Sequence, residues 1–145
     1  MSKAIGSRYP IEYCEKNKEY YEFVKDLLDN EVVEKMKNFK HHYSTTCYQH
    51  CLNVSYYNYL VCRKLGLNSR SAARAGLLHD LFLYDWRRAP RKRGELPHGF
   101  RHPTIALENA RQHFELEKRE EDMIERHMWP LTIKFPKYAE SYVIV

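Results

Sequence analysis

Five side chains of the types that bind divalent metal ions stand within or at the ends of predicted helices, at positions that exposure to solvent alone does not explain. His79 and Asp80 are neighbours that follow directly on an apolar run, AGLL. His50 lies on the apolar face of an earlier helical pattern, while His102 opens one later pattern and His127 closes another. Burying imidazole and carboxylate groups without partners is costly, and a divalent cation supplies such partners. These residues therefore predict a metal site.

The types of the candidate ligands indicate which metal ions the site would bind. Imidazole nitrogen suits Mn, Fe, Co, Ni and Zn, and carboxylate oxygen also suits harder ions such as Mg. Because one aspartate can offer an oxygen to each of two cations, the pair His79 and Asp80 can anchor a centre of one or two ions. Such ions lower the pKa of a bound water towards about 7, so that it can act as a hydroxide nucleophile.

Each of these residues also has a purely structural interpretation. His50 can be a hydrogen-bonded core histidine, and His79 and Asp80 can form a hydrogen-bonded pair at a helix end. His102 can cap a helix N-terminus, and His127 can interact with the negative end of its helix. The occurrence of all four features in this order along one chain favours the metal site.

Helical spacing of apolar residues runs through most of the chain, in which Gly is scarce. Ser44, Thr45 or Thr46 predicts the start of the helix that carries His50, and Gly66 predicts its end. Small residues before the HD pair would let another helix approach closely. Further helices are predicted at 17–29, at 31–39, from 68 or 69, from about 103, at 118–128 and from 136. The pattern predicts an all-α fold, a single-domain bundle of six or seven helices.

Composition indicates one soluble domain. The chain has 145 residues, of which 43% are hydrophobic and 30% charged, with a net charge of +5. No apolar run approaches the roughly 18 residues of a membrane span, and the first residues lack the apolar core of a secretory signal. We therefore expect a cytoplasmic protein with no membrane partner. The cysteines form no CxxC pair and are expected to be reduced thiols packed as small apolar groups: Cys14, Cys47, Cys51 and Cys62.

Residues 85–101 are predicted to be a loop because they hold Pro and Gly at close intervals, and they are rich in basic residues. Arg87, Arg88 and Arg101 are candidates to bind an anionic group of a substrate, which guanidinium groups can hold bidentately. His98 is a further candidate for contact with the substrate. Asp85 is a candidate catalytic residue that orients water or protonates the leaving group, although it can also simply cap a turn.

The order of these residues resembles the HD-domain superfamily of metal-dependent phosphohydrolases. AGLLHD is similar to the usual surroundings of the family's HD doublet. HPTIALENA and IERHMWP resemble the two histidine segments of its dinuclear subgroup. The resemblance covers about residues 41–145, and 1–40 would form additional N-terminal helices of the same domain.

The resemblance implies a ligand set. His50, His79 and Asp80 would bind a first metal ion, and Asp80, as the central catalytic carboxylate, would bridge to a second ion held by His102 and His127. The family also has a closing aspartate, which usually follows an apolar stretch.

In this chain the last aspartate is Asp122, and SYVIV resembles the apolar stretch that precedes the closing aspartate in the family. We therefore expect the chain as given to be truncated at its C-terminus. If the aspartate is lacking in the protein itself, the first metal site is short of one ligand.

The resemblance implies hydrolysis of a phosphomonoester or phosphodiester, with a small nucleotide-like molecule as substrate. The chain has neither a GYP motif nor an acidic pair after the doublet, so hydrolysis of cyclic dinucleotides or of guanosine tetraphosphate is not indicated. The alternative is a catalytically inactive HD-like domain that senses or binds a nucleotide or a metal. Nucleic acid is not expected as a partner, because a short basic loop gives only weak, salt-sensitive contacts.

Overall fold

The computed structural model describes residues 17–42, 45–81, 93–94 and 97–144. In these residues the chain forms seven α-helices, a 3-10 turn at Met36–Asn38 and one small hairpin. The helices are α1 (Lys18–Leu28), α2 (Glu31–Lys35), α3 (Cys47–Leu65), α4 (Ser69–Leu78), α5 (His98–His113), α6 (Lys118–Arg126) and α7 (Ala139–Ile144). The predicted all-α class and helix number are confirmed. None of the helices in this part of the chain is both long and apolar enough to cross a membrane.

Side-chain caps fix where several helices begin. The Asn30 carboxamide oxygen accepts a hydrogen bond from the backbone of α2, and the Asn68 side chain does the same for α4. Thr46 is the cap of α3, since its hydroxyl accepts from Gln49 N at 3.0 Å. Gly66 ends α3 with φ of 70°, a left-handed conformation that glycine adopts without strain.

Helix α4 lies at the centre of the domain and packs against α1, α3, α5, α6 and α7. All its residues from 71 to 78 are buried. The closest approach is to α3, where a Cβ added to Gly76 would lie 2.7 Å from Ser55 Cα. The Ser55 hydroxyl donates to Ala73 O at 2.6 Å and lies 2.8 Å from the Tyr20 hydroxyl, which joins α1, α3 and α4. The expected close helix approach at the small residues is confirmed.

A charged group also holds α4 in place. The buried Arg74 guanidinium forms two hydrogen bonds with Asp26 of α1, at 2.7 and 3.0 Å. On its other side, Arg74 Nε lies 3.7 Å from a carboxylate oxygen of Glu120 in α6, which is 1% exposed. Burial raises the pKa of Glu120 to about 7, although Arg74 acts in the opposite direction.

The structure differs from the predicted elements at three places. Helix α5 begins at His98, so residues 98–101 are helical rather than part of a loop, and Pro103 lies inside the helix. Helix α7 begins at Ala139, after Tyr138 rather than at Pro136. A short antiparallel hairpin, β1 (Lys40–His42) with β2 (Thr45–Thr46), precedes α3 and was not predicted.

Candidate metal centre

The carboxylate of Asp80 lies among four imidazole rings that come from four different parts of the fold. His50 is in the second turn of α3, His79 follows the end of α4, His102 is in α5 and His127 follows the end of α6. Asp80 Oδ2 lies 3.2 Å from His50 Nε2 and 3.3 Å from His79 Nε2. Asp80 Oδ1 lies 3.2 Å from His102 Nε2 and 3.4 Å from His127 Nε2. Each carboxylate oxygen thus has its own pair of histidines.

The spacing of these atoms fits two cation sites. Within the pairs, the Nε2 atoms of His50 and His79 are 3.2 Å apart, and those of His102 and His127 are 2.8 Å apart. Ligand atoms at about 2.1 Å from a transition metal, in tetrahedral or octahedral geometry, lie roughly 3.0–3.4 Å from one another. The His50–His79 pair falls within this range, and the His102–His127 pair, at 2.8 Å, would have to open slightly to hold an ion. The triads His50–His79–Asp80 and Asp80–His102–His127 therefore each offer one face of a coordination shell.

Backbone carbonyls determine which ring nitrogen of two histidines faces the carboxylate. His79 Nδ1 donates to Gly76 O at 2.6 Å, and His127 Nδ1 donates to Ile124 O at 2.7 Å. Both acceptors lie in the last turn of a helix, where carbonyls lack partners within the helix. With the proton on Nδ1, the neutral ring turns the lone pair of Nε2 towards Asp80. Lone pairs facing a carboxylate need a cation or a proton between them, which is the usual environment of a metal ligand.

Four of the five candidate ligands are buried, and burial favours the neutral form of one of the rings. His79, Asp80, His102 and His127 are each at most 8% exposed. Burial lowers the pKa of His79, which favours the neutral ring. The His50 side chain is more open, at 28% exposed.

The other predicted site residues are placed less completely. Arg101 is half-buried and directly precedes His102 in α5. His98 is the first residue of α5, and its contact with the substrate stays a prediction. Asp85, Arg87 and Arg88 lie outside the described residues, so their catalytic and substrate-binding roles stay predictions.

The cysteines of the described residues, Cys47, Cys51 and Cys62, are buried and free. Burial raises the pKa of the Cys51 thiol well above its usual value, so it stays protonated. This agrees with the prediction of packed, reduced thiols. Cys14 lies outside the described residues.

Two side chains that sequence reasoning missed contact the backbone of the HD segment. Cys47 Sγ donates to Asp80 O at 3.2 Å, and Asn109 Nδ2 donates to Leu81 O at 2.7 Å. Asn109 follows His102 by seven residues, which places both on one face of α5. The seven-residue spacing between His102 and Asn109 was the only signal in the sequence for this contact. It becomes informative only when the HD segment is known to pack against that face of α5.

Four helices of this domain bring four histidines around one aspartate, an arrangement typical of helical metal-binding domains. The family model of the HD domain matches residues 47–141, more than half of the chain. The chain therefore belongs to the HD-domain family, whose members are generally metal-dependent phosphohydrolases. Comparisons with curated proteins and with solved structures gave no significant match.

Proposed function

We propose that the chain is a metal-dependent phosphohydrolase whose centre holds two divalent cations bridged by Asp80. The observation that carries this proposal is the division of the Asp80 carboxylate. One oxygen lies within 3.3 Å of two histidine nitrogens, and the other lies within 3.4 Å of two different ones. A carboxylate that serves only as a hydrogen-bond acceptor in a core has no need of four imidazole partners.

The side chains of the protein would hold the two cations and orient them relative to each other. His50 and His79 would bind one cation with Asp80 Oδ2, while His102 and His127 would bind the other with Oδ1. Bound divalent ions supply Lewis acidity, which activates water and neutralises charge on phosphoryl oxygens. The metal is one of Mn, Fe, Co, Ni, Zn or Mg, which all accept such nitrogen and oxygen ligands.

The substrate is a small phosphorylated molecule, a phosphomonoester or phosphodiester of nucleotide-like size. It would approach beside His50, whose side chain is the most exposed of the five. Arg87, Arg88, Arg101 and His98 are proposed to hold the phosphate, and Asp85 to orient water or protonate the leaving group. We further propose that the protein acts in the cytoplasm and binds neither nucleic acid nor membranes.

The test joins metal content to turnover. Metal-free protein is titrated with Mn²⁺, Co²⁺ or Ni²⁺ by calorimetry, and hydrolysis of p-nitrophenyl phosphate and bis-p-nitrophenyl phosphate is followed with each metal. We expect two bound ions and turnover that depends on them. Asp80→Asn should weaken metal binding and lower turnover by about 100-fold or more, because it removes the negative charge shared by both sites.

Matched controls separate the site from general damage. Asp29→Asn changes an exposed aspartate at the end of α1, and His113→Ala removes an exposed histidine at the end of α5. Both should keep metal content and turnover, whereas His127→Ala should lose one ion. If the wild-type protein binds two ions but hydrolyses neither ester nor a panel of nucleotides, the domain is a metal-binding sensor and the hydrolase proposal fails.

A further inference from the structure

The backbone of the HD segment is held where it leaves α4. The helix ends at Leu78, and Asp80 and Leu81 continue as buried, non-helical residues. The carbonyl of Leu81 accepts a hydrogen bond from Asn109 Nδ2 at 2.7 Å. A side chain of α5 is thereby bonded to the residue next to the carboxylate that would bridge both metals.

The position of Asn109 in α5 gives this bond a geometric consequence. Seven residues separate it from His102, which is close to two helical turns or about 10 Å along the axis. Both side chains therefore point to the same side of α5. Together with the packing of α5 against α6, the bond between Asn109 and Leu81 O sets how far α5 is shifted and rotated relative to the HD segment, and so where the His102 ring meets Asp80.

The two histidines of the other half of the centre are placed by contacts that do not involve α5. His50 lies in α3 and His79 follows α4, and these two helices meet at Gly76 and Ser55. Cys47, one turn before His50, donates to the carbonyl of Asp80 from the α3 side. The contacts that place His50 and His79 are therefore separate from the contact between Asn109 and Leu81.

We propose that Asn109 is a positioning residue for the second cation, the one held by Asp80 Oδ1, His102 and His127. This inference rests on the proposed two-metal centre. Asn109 does not touch the cation. It acts by keeping His102 Nε2 at 3.2 Å from Asp80 Oδ1. Loss of comparable supporting hydrogen bonds around metal sites costs tenfold to about 100-fold in metal affinity.

The test is a stepwise Mn²⁺ titration of metal-free protein, followed by calorimetry and by electron paramagnetic resonance. The resonance signal distinguishes a single Mn²⁺ from an exchange-coupled pair. In Asn109→Ala we expect the first ion to bind within about twofold of wild type and the second to bind roughly tenfold to 100-fold more weakly. The coupled signal should disappear at two equivalents of metal. Asn109→Gln keeps an amide donor and should recover part of the second site.

A matched control removes a similar hydrogen bond elsewhere. Asn30→Ala deletes the side-chain cap of α2, where Asn30 Oδ1 accepts from Val32 N at 2.9 Å. We expect Asn30→Ala to lose about as much thermal stability as Asn109→Ala but to bind both metal ions as tightly as wild type. If Asn109→Ala does not fold, Asn109→Leu carries the same comparison, because it keeps the bulk without the donor.

The outcomes separate the two proposals. If wild type binds two ions and the Asn109 variants bind both as tightly, or lose both equally, the positioning role is wrong and the two-metal centre stands. If wild type itself binds fewer than two ions at these residues, the two-metal centre falls and the role of Asn109 falls with it.

Discussion

Gly76→Ala tests whether the contact between α3 and α4 sets the geometry of the metal centre. The added Cβ would lie 2.7 Å from Ser55 Cα and 2.9 Å from Ser55 N, both backbone atoms that no side-chain rotation can remove. An ordinary contact begins near 3.4 Å, so the two helices must separate by about 0.7 Å. Overpacking of this kind costs about 1–3 kcal/mol of folding stability.

The same displacement reaches the ligands. His79 Nδ1 is bonded to the carbonyl of Gly76, so the ring follows that residue when α4 moves. His50 lies on α3 and stays behind, which changes the 3.2 Å spacing between the two Nε2 atoms. A misplacement approaching 1 Å in a catalytic centre can lower the rate by about 100-fold. We therefore expect weaker binding at the His50–His79–Asp80 triad, together with a large fall in turnover.

Gly66→Ala is the matched control, because it makes the same substitution ten residues earlier. Gly66 has a positive φ and nothing within 4 Å of an added Cβ, so its cost is backbone strain alone, about 1 kcal/mol. The measurements are the free energy of unfolding in urea, the Mn²⁺ affinity and the rate of phosphoester hydrolysis. If the Gly76 variant loses no more stability than the Gly66 variant and keeps its metal affinity within about twofold, the helix contact does not set the site.

Two further outcomes are expected. The pKa of Glu120 is raised from 4.5 to about 7, so the folded protein holds a proton that the unfolded chain releases between these values. The free energy of unfolding should therefore fall as pH rises through this window, by up to roughly 3 kcal/mol. Glu120→Gln should remove that slope in urea titrations at pH 5–8, while the exposed Glu115→Gln should keep it. A chelator should lower the melting temperature of metal-loaded protein, since an ion at 100 times its Kd adds about 2.7 kcal/mol of stability; an unchanged melting temperature would show that the loaded metal stabilises nothing.

Much of the fold followed from local signals in the sequence. Thr46, Gly66 and Asn68 mark helix ends through their own side chains or backbone preference, so the bounds of α3 and the start of α4 were close to the prediction. The small residues of α4 indicated a close helix neighbour, which α3 supplies at Gly76. These features depend on residues within one or two turns of each other.

The start of α5 was predicted wrongly because a proline was given its commonest helical position. Pro103 lacks an N–H, so the first turn is where it costs least, and this favoured a start at His102. The helix instead begins at His98, and Pro103 cannot donate to the carbonyl four residues back. Burial of the neighbouring His102 and Ala106 belongs to the tertiary fold, and a local proline rule does not include it.

The candidate site shows the same division between local and long-range information. The types and order of the histidines indicated which residues meet, but the sequence held no distance between them. That distance depends on Gly76 against Ser55, on Cys47 with the Asp80 carbonyl and on Asn109 with the Leu81 carbonyl. Apart from Cys47, none of these contact residues has a side chain typical of metal chemistry, and the Cys47 thiol donates to a backbone carbonyl instead. Because the ligands come from four different helices, a change of a few tenths of an ångström between helices alters the coordination shell directly. The residues that pack the helices are therefore part of the site, and substitutions among them should affect metal affinity before they unfold the domain.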